Sequence, residues 1–376
     1  MSSSDSSPTT DVPRTVAMTG AGGFLGWHTR AALLETGTNV AAVRVGANFA
    51  LEEATEAIDG APRLIHIAGV NRGSEDDILA GNVGFADQIA AALRRADTPP
   101  AVVVNANSIQ AGNGSAYGGA KARAADLLAA AAQEVGSQFI DLKLPNIFGE
   151  HGKPFYNSVT ATFCHLISRG KEPTVEHDKE LTLLHAQNAA DLLTGAAAPE
   201  HQEILQERES VSGLLGKLRA IAVDYGRGEI PDIAANFDRD LFNTFRSYSI
   251  EAHTPISLTR NADFRGAFFE VVRSHGGRSQ SSFSTTAPGI SRGNHVHRRK
   301  IERFVVLSGQ ATISLRRLFT DEVRHFEVHG DIPMAIDMPT MWAHSITNTG
   351  SQELFTSFWT NDLFDPLRPD TIAEAV

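Results

Sequence analysis

His295-Val-His297, then Glu302 and, further on, His344 are residue types that bind divalent transition metals, and their spacing groups them. Side chains alternate along a strand, so His295 and His297 share a face, and Glu302, five residues after His297, is read onto that face too. His344 follows Pro339 in a second stretch and adds a distant third imidazole. Three or four N/O donors of this kind suit a divalent ion, zinc foremost, which would act as a Lewis acid. His295, Glu302 and His344 form the core of the set, and His297 is either a fourth ligand or a proton shuttle. Lys300 lies between ligands and is either an acid–base group, a phosphate partner or a solvated strand lysine.

A second constellation lies earlier. Tyr117 and Lys121 are four residues apart on a helical stretch and so share one face. A lysine beside a phenol lowers its pKa and lets it deliver a proton to a carbonyl oxygen as a hydride arrives. Ser108, nine residues earlier at a strand end, can hydrogen-bond the same oxygen. Gly20, Gly23 and Gly26 punctuate a turn that follows an apolar strand and opens a helix at Phe24 and Leu25, so backbone N–H groups can approach a pyrophosphate. The next strand ends at Val43-Arg44, where an acidic residue would suit NAD and an arginine suits a 2′-phosphate. Arg44 therefore points to NADPH, with an ordinary surface arginine as the alternative.

The elements that must position these groups fall into two regions. From residue 14 to about 195, apolar runs such as Thr15-Val-Ala-Met18, Arg63-Leu-Ile-His-Ile67 and Ala101-Val-Val-Val104 alternate with Ala-rich helical stretches. That alternation predicts an α/β Rossmann-type domain, a parallel sheet with helices on both faces. Residues 200–250 read as helical, with an amphipathic helix from Glu203 to Val223, and a joint is expected across 246–255. From Phe264 on, short strands are separated by Gly, Pro, Asn and Asp turns, the pattern of a small antiparallel barrel or jelly roll. The expected division is a disordered tail over 1–13, a nucleotide-binding domain over 14–250 and an all-β domain over 251–376. A chain of 376 residues has room for two domains. Its net charge of -11 argues against a nucleic-acid surface, no apolar run approaches the ~18 residues of a membrane span, and one cysteine, Cys164, fits a reducing cytoplasm.

Gly289, His295, His297, Glu302, Gly309 and His344 carry spacings that resemble the two signature motifs of cupin barrels. The glycine turn with Ser108, Tyr117 and Lys121, together with His66-Ile-Ala68-Gly and Asn82, resembles the extended short-chain dehydrogenase/reductases. That likeness implies cofactor contacts for Gly20, Gly23, Phe24, Leu25, Gly26, Arg44, His66, Ala68, Tyr117 and Lys121, although for His66 a core histidine is the better reading. The order of the halves, together with Leu144-Pro-Asn146-Ile-Phe-Gly149, Tyr156-Asn157-Ser-Val and Phe364-Asp-Pro-x-x-Pro369-Asp370-Thr371, resembles the bifunctional capsular polysaccharide synthesis enzymes of the CapF family. The resemblance implies a cupin that epimerises C3 of a UDP-linked 2-acetamido-2,6-dideoxy-4-keto sugar. It also implies a reductase that then reduces C4 with NADPH, giving UDP-N-acetyl-6-deoxytalosamine on the route to N-acetyl-L-fucosamine. Asn146, Tyr156 and Asn157 would contact the sugar nucleotide, with a loop-turn role the alternative for Asn146, and a cytoplasmic homodimer is expected. Asp263, Arg265 and Glu270 resemble a segment of sugar-nucleotide epimerase cupins, and Trp342 and Trp359 read as packing residues. Three departures stand out: Asn105-Ala-Asn107 precedes Ser108 in place of serines, Ala120 precedes Lys121, and Met341 stands where many cupins have glycine. Two other readings remain open, a fused epimerase/reductase acting on a dTDP-deoxysugar and a reductase with a non-catalytic, sugar-binding or dimerising cupin.

Overall fold

The computed structural model describes residues 14–264 and 266–376, so the expected tail over 1–13 and Arg265 lie outside the described residues. Five parallel strands run side by side in the order Asn39–Val43, Thr15–Thr19, Arg63–His66, Val102–Ser108, Gln138–Leu144. Their apolar residues are continuous rather than alternating, and Ala17, Met18, Leu64, Ile65, Val103 and Val104 are buried, as befits a sheet covered on both faces. Helices Leu51–Ile58, Phe85–Arg95 and Ala116–Glu134 pack Ile58, Ile89, Leu93 and Leu128 onto Leu64 and Val103. In the long helix the buried stripe is Ala120, Ala124, Leu128 and Ala131, small enough for close approach to the sheet, and Ser115 caps its start by accepting from the Gly118 N–H at 3.0 Å. Because the strands are parallel, Thr19, Val43, His66 and Ser108 end at one edge of the sheet, where doubly wound folds bind ligands beside the point of strand reversal.

Residues 14–144 with 191–197 form one compact unit, and residues 145–190 with 198–376 form the other. Segments 145–190 and 198–250 therefore pack with the all-β residues. The second unit opens with a three-stranded sheet, Asn146–Phe148, Glu180–His185 and Gln206–Ser210, backed by helices Val159–Ile167, Val211–Gly226 and Asn236–His253. The helix expected from Glu203 is shorter than its pattern: Gln206–Ser210 pairs antiparallel with Glu180–His185, and edge pairing wins over weak amphipathicity. The joint expected across 246–255 is helical as far as His253.

Two antiparallel five-stranded sheets follow, and among the described residues beyond His253 there is no helix. One sheet runs Ile256–Ser257, Met334–Met338, Glu302–Ser308, Leu354–Thr360, Gln280–Thr286; the other runs Val323–His329, Gln310–Arg317, Trp342–Asn348, Ser291–Val296, Ile372–Ala373. The chain crosses repeatedly from one sheet to the other, and Phe304, Val306, Ile336, Ile313, Leu315 and Ile346 from both sheets share one core, which is the jelly-roll arrangement of a cupin. A second core joins helix residues Leu218, Tyr225, Phe242 and Phe245 to Ile301 and Trp359 of the barrel. Next to it a buried bidentate pair, Arg303 with Asp337 at 2.6 and 3.0 Å, is completed by the Gly228 carbonyl. No helix among the described residues is long and apolar enough to cross a membrane.

Two candidate active sites

In the barrel, His295, one residue before the end of the Ser291–Val296 strand, lies directly opposite His344 on Trp342–Asn348, so their rings meet across the ladder with centroids 4.5 Å apart. A bulge at Asn294, whose φ is +57°, sets that register. His297 and Glu302 are not on one strand, as the spacing argument assumed. Five residues along a continuous strand lead to the opposite face, but the chain breaks over 297–301 and Glu302 begins a new strand in the other sheet. The turn brings the carboxylate back to the same point.

One donor atom from each of His295, His297, Glu302 and His344 lies within 4.8 Å of the others. Glu302 Oε2 is 3.0 Å from His297 Nε2 and 3.2 Å from His344 Nε2, yet none of these three buried atoms is aligned for a hydrogen bond. Donor atoms that converge with no aligned hydrogen bond between them suit a bound cation. The far nitrogens are already committed: His297 Nδ1 faces the Asp370 carbonyl and His344 Nδ1 the Trp342 carbonyl, which directs both Nε2 atoms inward. Burial, then His344 and His297, brings His295 down to about 4, and burial lowers His344, which favours the neutral imidazole, the form able to bind a metal. The residues fit a divalent metal. Lys300 Nζ stands 3.6 Å from Glu302 Oε1 and 3.4 Å from Thr371 Oγ1, at the edge of the group. Met341 sits at φ +69°, a conformation in which glycine is unstrained, and its N–H donates to the His297 carbonyl at 2.8 Å. The barrel tolerates the methionine and keeps the turn. Trp342 and Trp359 are buried.

In the parallel-sheet unit, the turn after Thr15–Thr19 has Gly20 at φ +70°, and a Cβ on Gly26 would lie 2.0 Å from the Gly20 carbonyl. Helix Phe24–Glu35 begins with no side-chain cap and no acidic residue in its first turn. Its N–H end thus suits a cofactor pyrophosphate, with Phe24 and Leu25 in the first turn. Arg44 is exposed just beyond the Asn39–Val43 strand. His66 is a core residue: its Nδ1 pairs with Thr19 Oγ1 at 3.0 Å, and burial, then Lys121, brings it to about 3. Ala68 follows it, its N–H donating to Thr19 Oγ1 at 3.1 Å. Asn82, also buried, donates to the Val70 and Ile78 carbonyls.

Ser108 ends its strand, and Tyr117 and Lys121 occupy the first turns of Ala116–Glu134. Burial raises the Tyr117 phenol, opposed by the Ser108 hydroxyl. The lowering expected from Lys121 is absent because Lys121 Nζ donates instead to the Ala106 carbonyl at 2.8 Å. Burial brings Lys121 itself to about 8, with Asp141 opposing. Asp141 also explains the asparagines before Ser108: it accepts from Asn105 at 2.8 Å and Asn107 at 2.9 Å, and the Asn107 side-chain oxygen accepts from the Ser108 N–H at 2.9 Å.

The NAD dependent epimerase/dehydratase family model matches residues 16–205, and the polysaccharide biosynthesis C-terminal domain matches 261–372. The solved capsular polysaccharide assembling protein CapF of Staphylococcus aureus is 32% identical, with 96% of this chain and 100% of that one covered and a TM-score of 0.59. The chain belongs to the CapF family. A second CapF structure, with the inhibitor 3-isopropenyl-tropolone, is 30% identical over 96% of this chain and 100% of its own, at a TM-score of 0.53. A Pseudomonas aeruginosa relative, UDP-2-acetamido-2,6-beta-L-arabino-hexul-4-ose reductase, is 28% identical over 96% of this chain and 98% of its own.

The CapF resemblance had singled out Asn146, Tyr156 and Asn157, and all three are exposed in the second unit. Asn146 Nδ2 donates to the Thr182 carbonyl at 3.0 Å, and Lys153 Nζ lies over the Tyr156 ring. Asp263 is in a small exposed hairpin, and Glu270 pairs with Arg273. Residues that no motif revealed are the ones behind the candidate ligands. Buried Glu150 accepts from Gln187 at 3.0 Å, Thr340 at 2.7 Å and His185 at 3.1 Å, while Gln187 also reaches the Arg298 carbonyl. Burial opposes a charge on His185, but Asp240 and Glu150 outweigh it and raise its pKa. Only their buried polar character, scattered over 190 residues of sequence between Glu150 and Thr340, marks them.

Proposed function

We propose that this enzyme epimerises C3 of a UDP-linked 2-acetamido-2,6-dideoxy-4-keto-hexose at the barrel site and then reduces the C4 ketone with NADPH at the parallel-sheet site, giving UDP-N-acetyl-6-deoxytalosamine for surface polysaccharide synthesis. The observation that carries the reading is the presence in one chain of both constellations, His295/His297/Glu302/His344 and Ser108/Tyr117/Lys121. The Pseudomonas relative, matched along 98% of its length, is named for a UDP-4-keto sugar reduction, which supports the second step.

The order follows from chemistry. A proton on C3 is acidic only while C4 is a ketone, so epimerisation must precede reduction. A divalent ion held by the three histidines and Glu302 would supply positive charge beside the enediolate oxygens. Lys300, at the edge of that group, would exchange the proton or meet a phosphate. At the other site bound NADPH would supply the hydride, and Arg44 would hold its 2′-phosphate. Tyr117, kept protonated by burial, donates to the C4 oxygen, and Ser108 holds that oxygen.

Incubation with the UDP-4-keto-6-deoxy sugar in deuterated water, followed by NMR, tests this. Deuterium should enter C3 without NADPH, and with NADPH one equivalent should be oxidised as a C4 alcohol forms. Reduction with no C3 exchange would leave the barrel a binding module, and the two-step reading would fail.

A further inference from the structure

We propose that Asp370 is the positioning residue of the metal-binding group, and that residues 370–375 form a clasp whose docking is coupled to metal binding. The inference rests on the reading of His295, His297, Glu302 and His344 as metal ligands. It concerns residues that donate nothing to a metal themselves.

The loop 297–301 is regular in neither sheet, yet it carries His297 and leads straight into Glu302. Its amides cannot be satisfied by a ladder, so side chains must hold it. Asp370 does most of this. Its Oδ1 accepts from the Arg298 N–H at 3.0 Å, and its Oδ2 accepts from Arg299 at 2.9 Å and Lys300 at 2.6 Å. Its own carbonyl takes His297 Nδ1–H, the bond that turns Nε2 toward the other donors. One residue thus fixes both the path of the ligand loop and the tautomer of its ligand. To do so Asp370 adopts φ +43°, a conformation disfavoured for a residue with a Cβ.

The residues after it hold the other side of the group. Ile372 and Ala373 pair with Val296 and His295, and the Glu374 N–H donates to the Asn294 carbonyl at 3.0 Å, across the bulge that sets the His295 register. Arg316 ties the Glu374 carboxylate and the Ala375 carbonyl. The clasp therefore touches two ligands at once, His295 through its backbone and His297 through its ring. Of its six residues only Ile372 is buried, so few apolar contacts keep it docked. A weakly held segment that orders two ligands must, by linkage, be ordered in turn when those ligands are fixed by a metal.

The test uses the full chain stripped with chelator and then loaded with Zn²⁺ alone. Zinc affinity is read by competition with a chromophoric chelator, and amide exchange is followed by mass spectrometry over peptides spanning 298–302 and 370–375. In the unaltered protein zinc should slow exchange across both segments. Asp370→Ala should weaken zinc about 10- to 100-fold, the range for losing a partner behind a ligand, and should abolish the zinc-dependent protection of 370–375. Asp370→Asn keeps the shape and one acceptor oxygen but sets an NH₂ against a backbone N–H, and should fall between the two. Should Asp370→Ala fail to fold, Asp370→Asn decides, and wild-type affinity there overturns the proposal. Exchange over 370–375 that ignores zinc in the unaltered protein overturns it without any variant. If the unaltered protein takes up no zinc, the metal reading itself fails. Tight zinc binding unaffected by Asp370 defeats only the clasp.

Discussion

Lys121 should make the parallel-sheet unit less stable than it would be with a neutral residue there. Burial brings its proton affinity from the ordinary 10.5 to about 8, and at about 1.4 kcal/mol per tenfold change that is roughly 3 kcal/mol against the folded state at pH 7. Lys121→Met removes this and also the hydrogen bond to Ala106, worth about 1–1.5 kcal/mol, leaving a net stabilisation of about 2 kcal/mol. For a unit of this size the transition should rise by about 4–8 °C at pH 7, while reductase activity is lost. The pH dependence fixes the cause. The folded-state pKa is below the unfolded one, so the penalty is fully present below about 8 and lifts as pH rises from there towards 10.5. Differential scanning calorimetry of both proteins at pH 7 and pH 10 should therefore show the gap nearly closed at the higher pH. A variant no more stable than the parent at pH 7, or a gap that ignores pH, would refute the reasoning that this ammonium is held at a cost.

Other outcomes follow from the same geometry. Tyr117→Phe should reduce NADPH oxidation at least a hundredfold and leave C3 deuterium exchange at the parent rate, since the phenol serves only the reduction; parallel loss of both activities in a folded variant would count against two separate sites. Arg44→Ala should cut the NADPH/NADH ratio of kcat/KM by roughly tenfold, about the 1.4 kcal/mol expected of one charge-assisted contact; an unchanged ratio removes Arg44 from the cofactor. Asp337→Asn strands the buried Arg303 guanidinium and should destabilise the second unit by about 3–5 kcal/mol in urea unfolding, whereas replacing the pair by Met and Leu should recover most of it.

The parallel sheet was legible because its signals are local. An apolar run, a glycine turn and a helix start lie within a dozen residues at Thr15 to Gly26. The jelly roll was legible from turn residues and short strands, and the four side chains that cluster in it, His295, His297, Glu302 and His344, from residue type. Parity along a strand could not place Glu302, because the sequence does not say where a strand stops, and the break at 297–301 is set by side chains seventy residues away at Asp370. Gln206–Ser210 was hidden for a similar reason: a polar edge strand has no periodicity of its own and exists through its pairing with Glu180–His185. The proton affinity of Tyr117 depends on where Lys121 points, and the Ala106 carbonyl that captures it belongs to another element.

The way the chain is shared between its two compact units bears on how such an enzyme can be recombined. Residues 145–190 leave the parallel-sheet unit, 191–197 return to it, with Arg63 bonded to the Leu193 carbonyl, and 198 onward leave again. A reductase module lifted out by a single cut near residue 250 would take with it Arg246, which holds the Met338 carbonyl, and Asn243, which holds the Arg299 carbonyl. The barrel left behind would lose the helix that roofs its ligand loop. Exchange of catalytic halves between relatives should succeed only with paired crossovers, one near 144 and a second pair bracketing 191–197, so that inheritance follows packing and not the order of motifs along the gene.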